Sequence, residues 1–290
     1  MSRPVIHIAL RVAPYVAFYF LLVSLSGQLF VWLGGYLLGI TATLLFAAVF
    51  VNWLALRIFE NRPLADAGLW WNHASADNLA FGLAGGIGAG CLVMGPALLA
   101  GLGRLVPTPK EPFALGTLLF VAILLAAGAA GEELFFRGYG FQVLLGSIGV
   151  HATVLPVGVL FALLHGGNPH ANWFAIANTA GFGILFGYAY VRTRDLWLPI
   201  GLHFGWNFTL PLFGVPVSGL RMNVTGHAMV WSAGQWVSGG EYGPEASVLT
   251  SAVLVLLAAF VYKAPVRRQI SPLTDPQESP VCEPQPPLPS

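Results

Sequence analysis

Residues 113–137 read FALGTLLFVAILLAAGAAGEELFFR, and this stretch decides the class of the fold. From Phe113 to Gly131 it carries no charge. In a helix it is long enough to cross the roughly 30 Å hydrocarbon core of a bilayer, which takes about 20 apolar residues. Two glutamates and an arginine then follow without a break in the helical pattern. A charge at the bilayer centre costs at least about 2.5–3.5 kcal/mol, so ionisable groups inside a span mark function by default.

The rest of the chain is of the same kind. Of its 290 residues, 56% are hydrophobic and only 9% charged, whereas a soluble domain carries about 25% charged residues. Too few charges remain to build a water-facing surface, so most of the surface must face lipid. Apolar runs place eight candidate spans, at about 12–33, 36–57, 79–103, 113–136, 150–165, 172–191, 196–213 and 247–263. The expected fold class is all-α: a polytopic membrane protein with about eight transmembrane helices. The first run follows Arg3 and Arg11 like a signal peptide, but it continues into the second and lacks a convincing A-x-A site, so it reads as an uncleaved helix. Net charge is +1 with no basic run, which leaves nothing for nucleic acid. Cys91 and Cys282 form no CxxC motif or disulfide framework, and Cys282 is too far from Ser290 for a CaaX box.

Basic residues orient the chain. With eight spans, one side holds Arg3, Arg11, Arg57, Arg62, Arg137, Arg192, Arg194, Lys263, Arg267 and Arg268; the other holds Arg104, Lys110 and Arg221. Both termini are therefore predicted to be cytoplasmic, also when Arg137 is set aside for the site. Three regions are expected: 1–110, an N-terminal membrane region of about three spans; 111–263, a membrane core with the chemistry; and 264–290, a disordered proline-rich cytoplasmic tail. Residues 62–77 read as a cytoplasmic connector. Residues 211–246, with Trp231, Trp236 and Tyr242, read as an external loop with an aromatic belt, or alternatively as a lid.

Three clusters carry the polar groups inside spans. In the first, Glu133 and Arg137 lie four apart and share a helix face, acid before base, the favourable order. Glu132 points about 100° away and has no local counter-ion. An unpaired carboxylate in apolar surroundings can shuttle protons near neutral pH, which makes Glu132 the candidate general base and Glu133–Arg137 a supporting pair. The bland alternative leaves both glutamates at the water interface. In the second cluster, Phe161 and His165 share a face, and His165 alone would read as an interfacial residue. In the third, His203 and Asn207 share a face. Asn207 is either glue between helices or a donor to a developing oxyanion.

Together these side chains suit peptide-bond hydrolysis. Glu132 would take a proton from water that a histidine helps to hold, with the oxyanion facing His203 and Asn207. Glu132, His165 and His203 would also suit zinc, although no His-Glu-x-x-His is present. No metal set is committed and no cofactor is favoured, zinc being the one candidate. His151, His170, Asn168, Asn172 and Asn178 are candidates to support the cavity, most of them reading as loop or packing residues.

The three clusters, in this order, resemble the CPBP family of CAAX-processing and bacteriocin-processing intramembrane proteases. The family pattern Glu-Glu-x-x-x-Arg, Phe-x-x-x-His, His-x-x-x-Asn stands here as Glu132, Glu133 and Arg137; Phe161 and His165; His203 and Asn207. The resemblance implies an eight-helix membrane fold whose motifs converge in a cavity. Glu132 would activate water, His165 would assist, and His203 with Asn207 would form the oxyanion site. It leaves metal dependence open, and it implies a membrane-associated protein or peptide as substrate and the bilayer as surroundings. A non-catalytic adaptor or immunity protein on the same fold, and a proton-coupled transporter, are the competing readings.

One feature fits poorly. Glu132 and His203 lie a few residues from one end of their spans, while His165 lies some 15 residues into its own. Either residues 139–150 dip into the membrane or the cavity is tall. The small residues Ala126–Gly131, with Gly181, Gly183 and Gly187, would let helices approach closely.

Overall fold

A computed structural model describes residues 3–275. In chain order these form α1 (Arg3–Ala55), α2 (His73–Leu99), β1 (Gly103–Pro107), α3 (Leu115–Arg137), α4 (Tyr139–Ile148), α5 (Val150–Leu164), α6 (Trp173–Thr193), α7 (Trp197–Leu212), β2 (His227–Trp231), the single turn α8 (Gln235–Ser238) and α9 (Val248–Lys263). The two strands make one antiparallel sheet, with Gly103 opposite Trp231. It ties the α2–α3 connection to the long loop after α7.

Helix α1 is two helices. Gly35 breaks it at φ 74°, a left-handed conformation that glycine adopts without a Cβ clash. The halves fold back on each other, so that Tyr15 in the first meets Asn52 in the second, with Asn52 Nδ2 donating to the Tyr15 hydroxyl at 3.0 Å. Among the described residues, five helical segments are long and apolar enough to cross a membrane: Ile6–Glu60, His73–Leu99, Leu115–Ile148, Val150–Gly167 and Trp173–Thr193. The first contains the hairpin, so two expected spans fall within one segment. Helices α7 and α9 have 16 residues each and fall short of the usual length of a crossing.

The fourth span ends later than hydropathy suggests. After Arg137 the chain kinks at Gly138 and resumes as α4, so the apolar segment runs on to Ile148. A Cβ at Gly138 would lie 2.1 Å from the Leu134 carbonyl oxygen and 2.3 Å from Asn52 Oδ1, so the kink needs glycine. Asn52 holds it: its Nδ2 donates to the Leu134 carbonyl at 3.0 Å, and its Oδ1 accepts from Tyr139 N at 2.7 Å. Arg137 is therefore buried at the kink between α3 and α4, not at the end of a span, and it drops out of the orientation tally.

Glycine pairs set two helix contacts. Gly201 and Gly205 of α7 lie against Gly82 and Gly86 of α2; a Cβ on Gly86 would come within 2.2 Å of the Leu202 carbonyl oxygen. Glycines four apart share a face, and residues two further on lie about 200° away. His203 and Asn207 are thus turned from α2 towards α3. Gly158 of α5 and Gly183 of α6 meet in the same close way.

The tail differs from its expectation at its start. Residues 264–275 strap the arginine-rich end of the bundle. Gln269 Oε1 accepts from Trp70 Nε1 at 2.9 Å and Asn72 Nδ2 at 2.7 Å, and its amide nitrogen donates to Asp195. Ser271 is fully buried and donates to Gln142 of α4. Proline density alone does not exclude order when side chains such as Gln269 satisfy buried polar groups. Burial raises the Asp195 carboxyl above its ordinary range, against the hydrogen bonds from Asn78 and Gln269. The remainder of the expected tail, 276–290, lies outside the described residues.

Candidate active site

The three clusters meet. His165 Nε2 lies 3.5 Å from Glu132 Oε2, and His203 Nε2 lies 4.0 Å from the same oxygen. His165 reaches this level because α4 carries the chain a further ten residues beyond Arg137 before α5 starts back. The fourth span was read too short, and the depth mismatch disappears with it.

Each imidazole is held at Nδ1. In His165 this atom is 2.7 Å from the Phe161 carbonyl oxygen, one turn back on α5. A carbonyl only accepts, so Nδ1 carries the proton and Nε2 faces Glu132. In His203, Nδ1 is 2.9 Å from Glu133 Oε1. Glu133 also binds Arg137, whose Nη1 is 3.1 Å from both carboxylate oxygens, and Arg137 Nη2 donates to the Gly183 carbonyl at 2.6 Å. Glu133 and Arg137 are fully buried. The expected supporting pair is present and does more than neutralise charge, because it orients His203. The Phe136, Phe161 and Phe186 rings lie 5.6, 5.0 and 5.5 Å from the Arg137 guanidinium. Phe186 also stacks on His203 at 5.0 Å. Phe161 thus contributes its carbonyl to one histidine and its ring to the arginine.

These groups border a cavity of about 360 Å³. Glu132, His165, His203 and Asn207 line it, and Glu132 Oε2 is buried with no hydrogen-bond partner among the described residues. The apolar lining from α1 was not foreseen. Tyr19, Phe20 and Val23 from the first half of α1, and Tyr36, Leu37, Ile40 and Leu44 from the second, form an apolar side. Tyr19 is stacked on Phe135 with ring centroids 3.6 Å apart. Val217, Ser218, Leu220 and Met222 close the cavity from the loop after α7, so part of that loop covers the site.

Glu245 was also missed. Its buried carboxylate accepts from Trp206 Nε1 at 3.2 Å, from Ser218 Oγ at 3.3 Å and from Ser218 N, and so ties the covering turn to α7 beside Asn207. Burial raises its pKa above the ordinary carboxylate range. No local signal separates it in sequence from Glu241, which is exposed. Of the residues read as loop or packing, Asn168 lines the cavity and Asn172 caps α6. Asn178 donates to the Glu245 and Ser247 carbonyls, and His151 meets the Tyr188 hydroxyl at 2.7 Å. His170 lies in the turn before α6 at φ 59°.

Zinc, if bound, would have to rest on Glu132, His165 and His203. Among the described residues no group of three or more His, Cys, Asp or Glu is arranged to hold a metal ion. At 3.5 and 4.0 Å from one carboxylate oxygen, the two imidazoles are near enough for a single water to touch all three groups.

No curated protein and no solved structure matches the chain. Residues 114–209 match the family described as type II CAAX prenyl endopeptidase Rce1-like. That stretch is about a third of the chain and contains all seven motif positions. The match carries the expectation of an intramembrane endopeptidase. Over residues 114–209 this polytopic membrane protein is therefore similar to the Rce1-like CAAX proteases, as the resemblance to the CPBP family read from its motifs requires.

Proposed function

We propose that the protein is an intramembrane endopeptidase that hydrolyses a peptide bond of a membrane-associated protein or peptide with water activated by Glu132. The observation that carries this reading is the convergence of two Nδ1-anchored imidazoles on one unpartnered carboxylate oxygen inside a cavity.

In this mechanism a water sits beside Glu132 Oε2 and His165 Nε2 and hydrogen-bonds to both. Glu132 takes its proton as the water oxygen bonds to the substrate carbonyl carbon, and the carbonyl electron pair moves onto its oxygen. Asn207 Nδ2–H donates to that oxyanion from the next turn of α7, and His203 does so when its Nε2 is protonated. Collapse of the intermediate breaks the C–N bond, and Glu132 returns its proton to the leaving amine. Glu133 holds His203 in one orientation, the role an acid plays beside a catalytic imidazole. The basic residues at the strapped end support a cytoplasmic location for both termini.

The test compares peptide N-termini from membrane fractions of cells carrying wild type or Glu132→Gln at matched expression. New N-termini confined to wild type are expected, and they name the substrate. Identical N-termini in both would remove the protease reading and favour an adaptor.

A further inference from the structure

The loop that closes the cavity contains a stretch of backbone with no partner. Residues 221–224 have no backbone hydrogen bond among the described residues. The chain is paired on both sides of them: Leu220 bridges to Val217, and β2 pairs with β1 from His227 onward. Between those points it runs without helix or turn, and burial alternates, with Arg221 exposed, Met222 and Val224 buried and Asn223 half-buried. A period of two is the signature of an extended strand.

The stretch is also fixed in place. Met222 and Val224 pack on Val121, Leu124 and Leu125 of α3, and the Asn223 side chain donates to Glu111. Met222, Leu124 and Leu125 line the same cavity as Glu132, His165 and Asn207. An ordered, unpaired strand therefore borders the wall on which the carboxylate sits.

A substrate needs such an edge. A carbonyl inside a helix is hydrogen-bonded and screened from attack, so the scissile segment must be extended. In apolar surroundings each backbone group freed by unwinding costs free energy unless it is paired again. An unpaired strand supplies the replacement bonds, the principle by which exposed edges capture peptides.

We propose that the substrate backbone docks as an added β-strand along Arg221–Val224 and is presented to Glu132 in extended form. The inference rests on the endopeptidase reading. Along a strand, alternate residues direct both backbone groups to the same side. Either Arg221 and Asn223 or Met222 and Val224 would then pair with substrate, and the substrate would show the same alternation.

The experiment uses the full-length protein in lipid nanodiscs and a synthetic peptide spanning a cleavage site found in the N-terminal comparison. A series of peptides carries one N-methyl group each, which removes one amide donor at a time. The expected result is a loss of about tenfold in kcat/KM, mostly through KM, at alternate positions on one side of the scissile bond, with the intervening positions little changed. As a protein-side check, Met222→Pro and Asn223→Pro are compared at unchanged thermal midpoint, and one of the two should raise KM. Equal tolerance of N-methylation at every position would overturn strand docking while leaving proteolysis intact. Failure to cleave the unmodified peptide would count against the endopeptidase reading itself.

Discussion

His203 Nδ1 lies 2.9 Å from Glu133 Oε1, so the second glutamate of the pair is a partner of the histidine seventy residues further on as well as of Arg137. That contact divides the two glutamates by task. Glu132 faces the cavity, while Glu133 is sealed from it and fixes the imidazole that faces Glu132.

Replacing Glu133 by Gln should therefore damage stability and turnover together. It strands a fully buried guanidinium, and breaking a buried ion pair costs about 3–5 kcal/mol. Thermal unfolding in detergent should show a clearly lowered midpoint, and the folded fraction should cleave about 10–100-fold more slowly. Near-normal turnover in the folded fraction would mean that His203 needs no orienting acid.

His165→Ala should leave the fold intact, because the ring packs chiefly on Phe161 and borders the cavity. Turnover should fall by about 10²–10⁴, the usual worth of a proton-handling group. Unchanged single-turnover rates would remove His165 from the chemistry.

Treatment with 1,10-phenanthroline or EDTA, paired with elemental analysis of the purified protein, should leave cleavage intact and find no stoichiometric metal. Loss of cleavage that stoichiometric zinc restores would instead assign Glu132, His165 and His203 as ligands.

Burial raises the Glu245 carboxyl above its ordinary range, so the folded state holds this proton at a pH where the unfolded chain has lost it. Its contribution to stability is full below the ordinary glutamate value and declines as pH rises to the raised one. Thermal midpoints across that window should fall with pH in wild type and fall less in Glu245→Gln. A steeper fall in the variant would show that Ser218 and Trp206 keep the carboxylate charged.

Gln269→Ala should cost about 1–3 kcal/mol, because Trp70 Nε1 loses its acceptor and Asp195 loses a donor at the strapped end. Denaturant or thermal titration reads this directly. No change would make the 264–275 strap a passive contact.

What the sequence made legible was local. Glu133 with Arg137, Phe161 with His165, and His203 with Asn207 each lie four apart on one helix, and helical geometry alone puts such pairs on one face. The family match over 114–209 rests on the same stretch. What stayed hidden depends on contacts distant in sequence. The fourth span was expected to end at about 136 because the apolar run met charges there. The kink is set by Asn52, on a hairpin more than eighty residues earlier. Tyr19, Glu245 and Met222 carry no periodic or motif signal; Tyr19 and Met222 reach the cavity, and Glu245 reaches Trp206 and Ser218 beside it, only through the packing of α1 and the loop after α7.

Tyr19, Tyr36, Leu37, Ile40 and Met222 line the cavity from outside residues 114–209. Part of the cavity lining is thus contributed by stretches of chain that carry none of the polar groups of the site. On the endopeptidase reading, a change of bulk at Ile40 or Tyr36 would retune which segment is admitted without touching Glu132, His165 or His203. Such a scaffold can acquire new clients by substitutions in its first helical hairpin alone, as a lathe takes a new jaw while its spindle stays fixed.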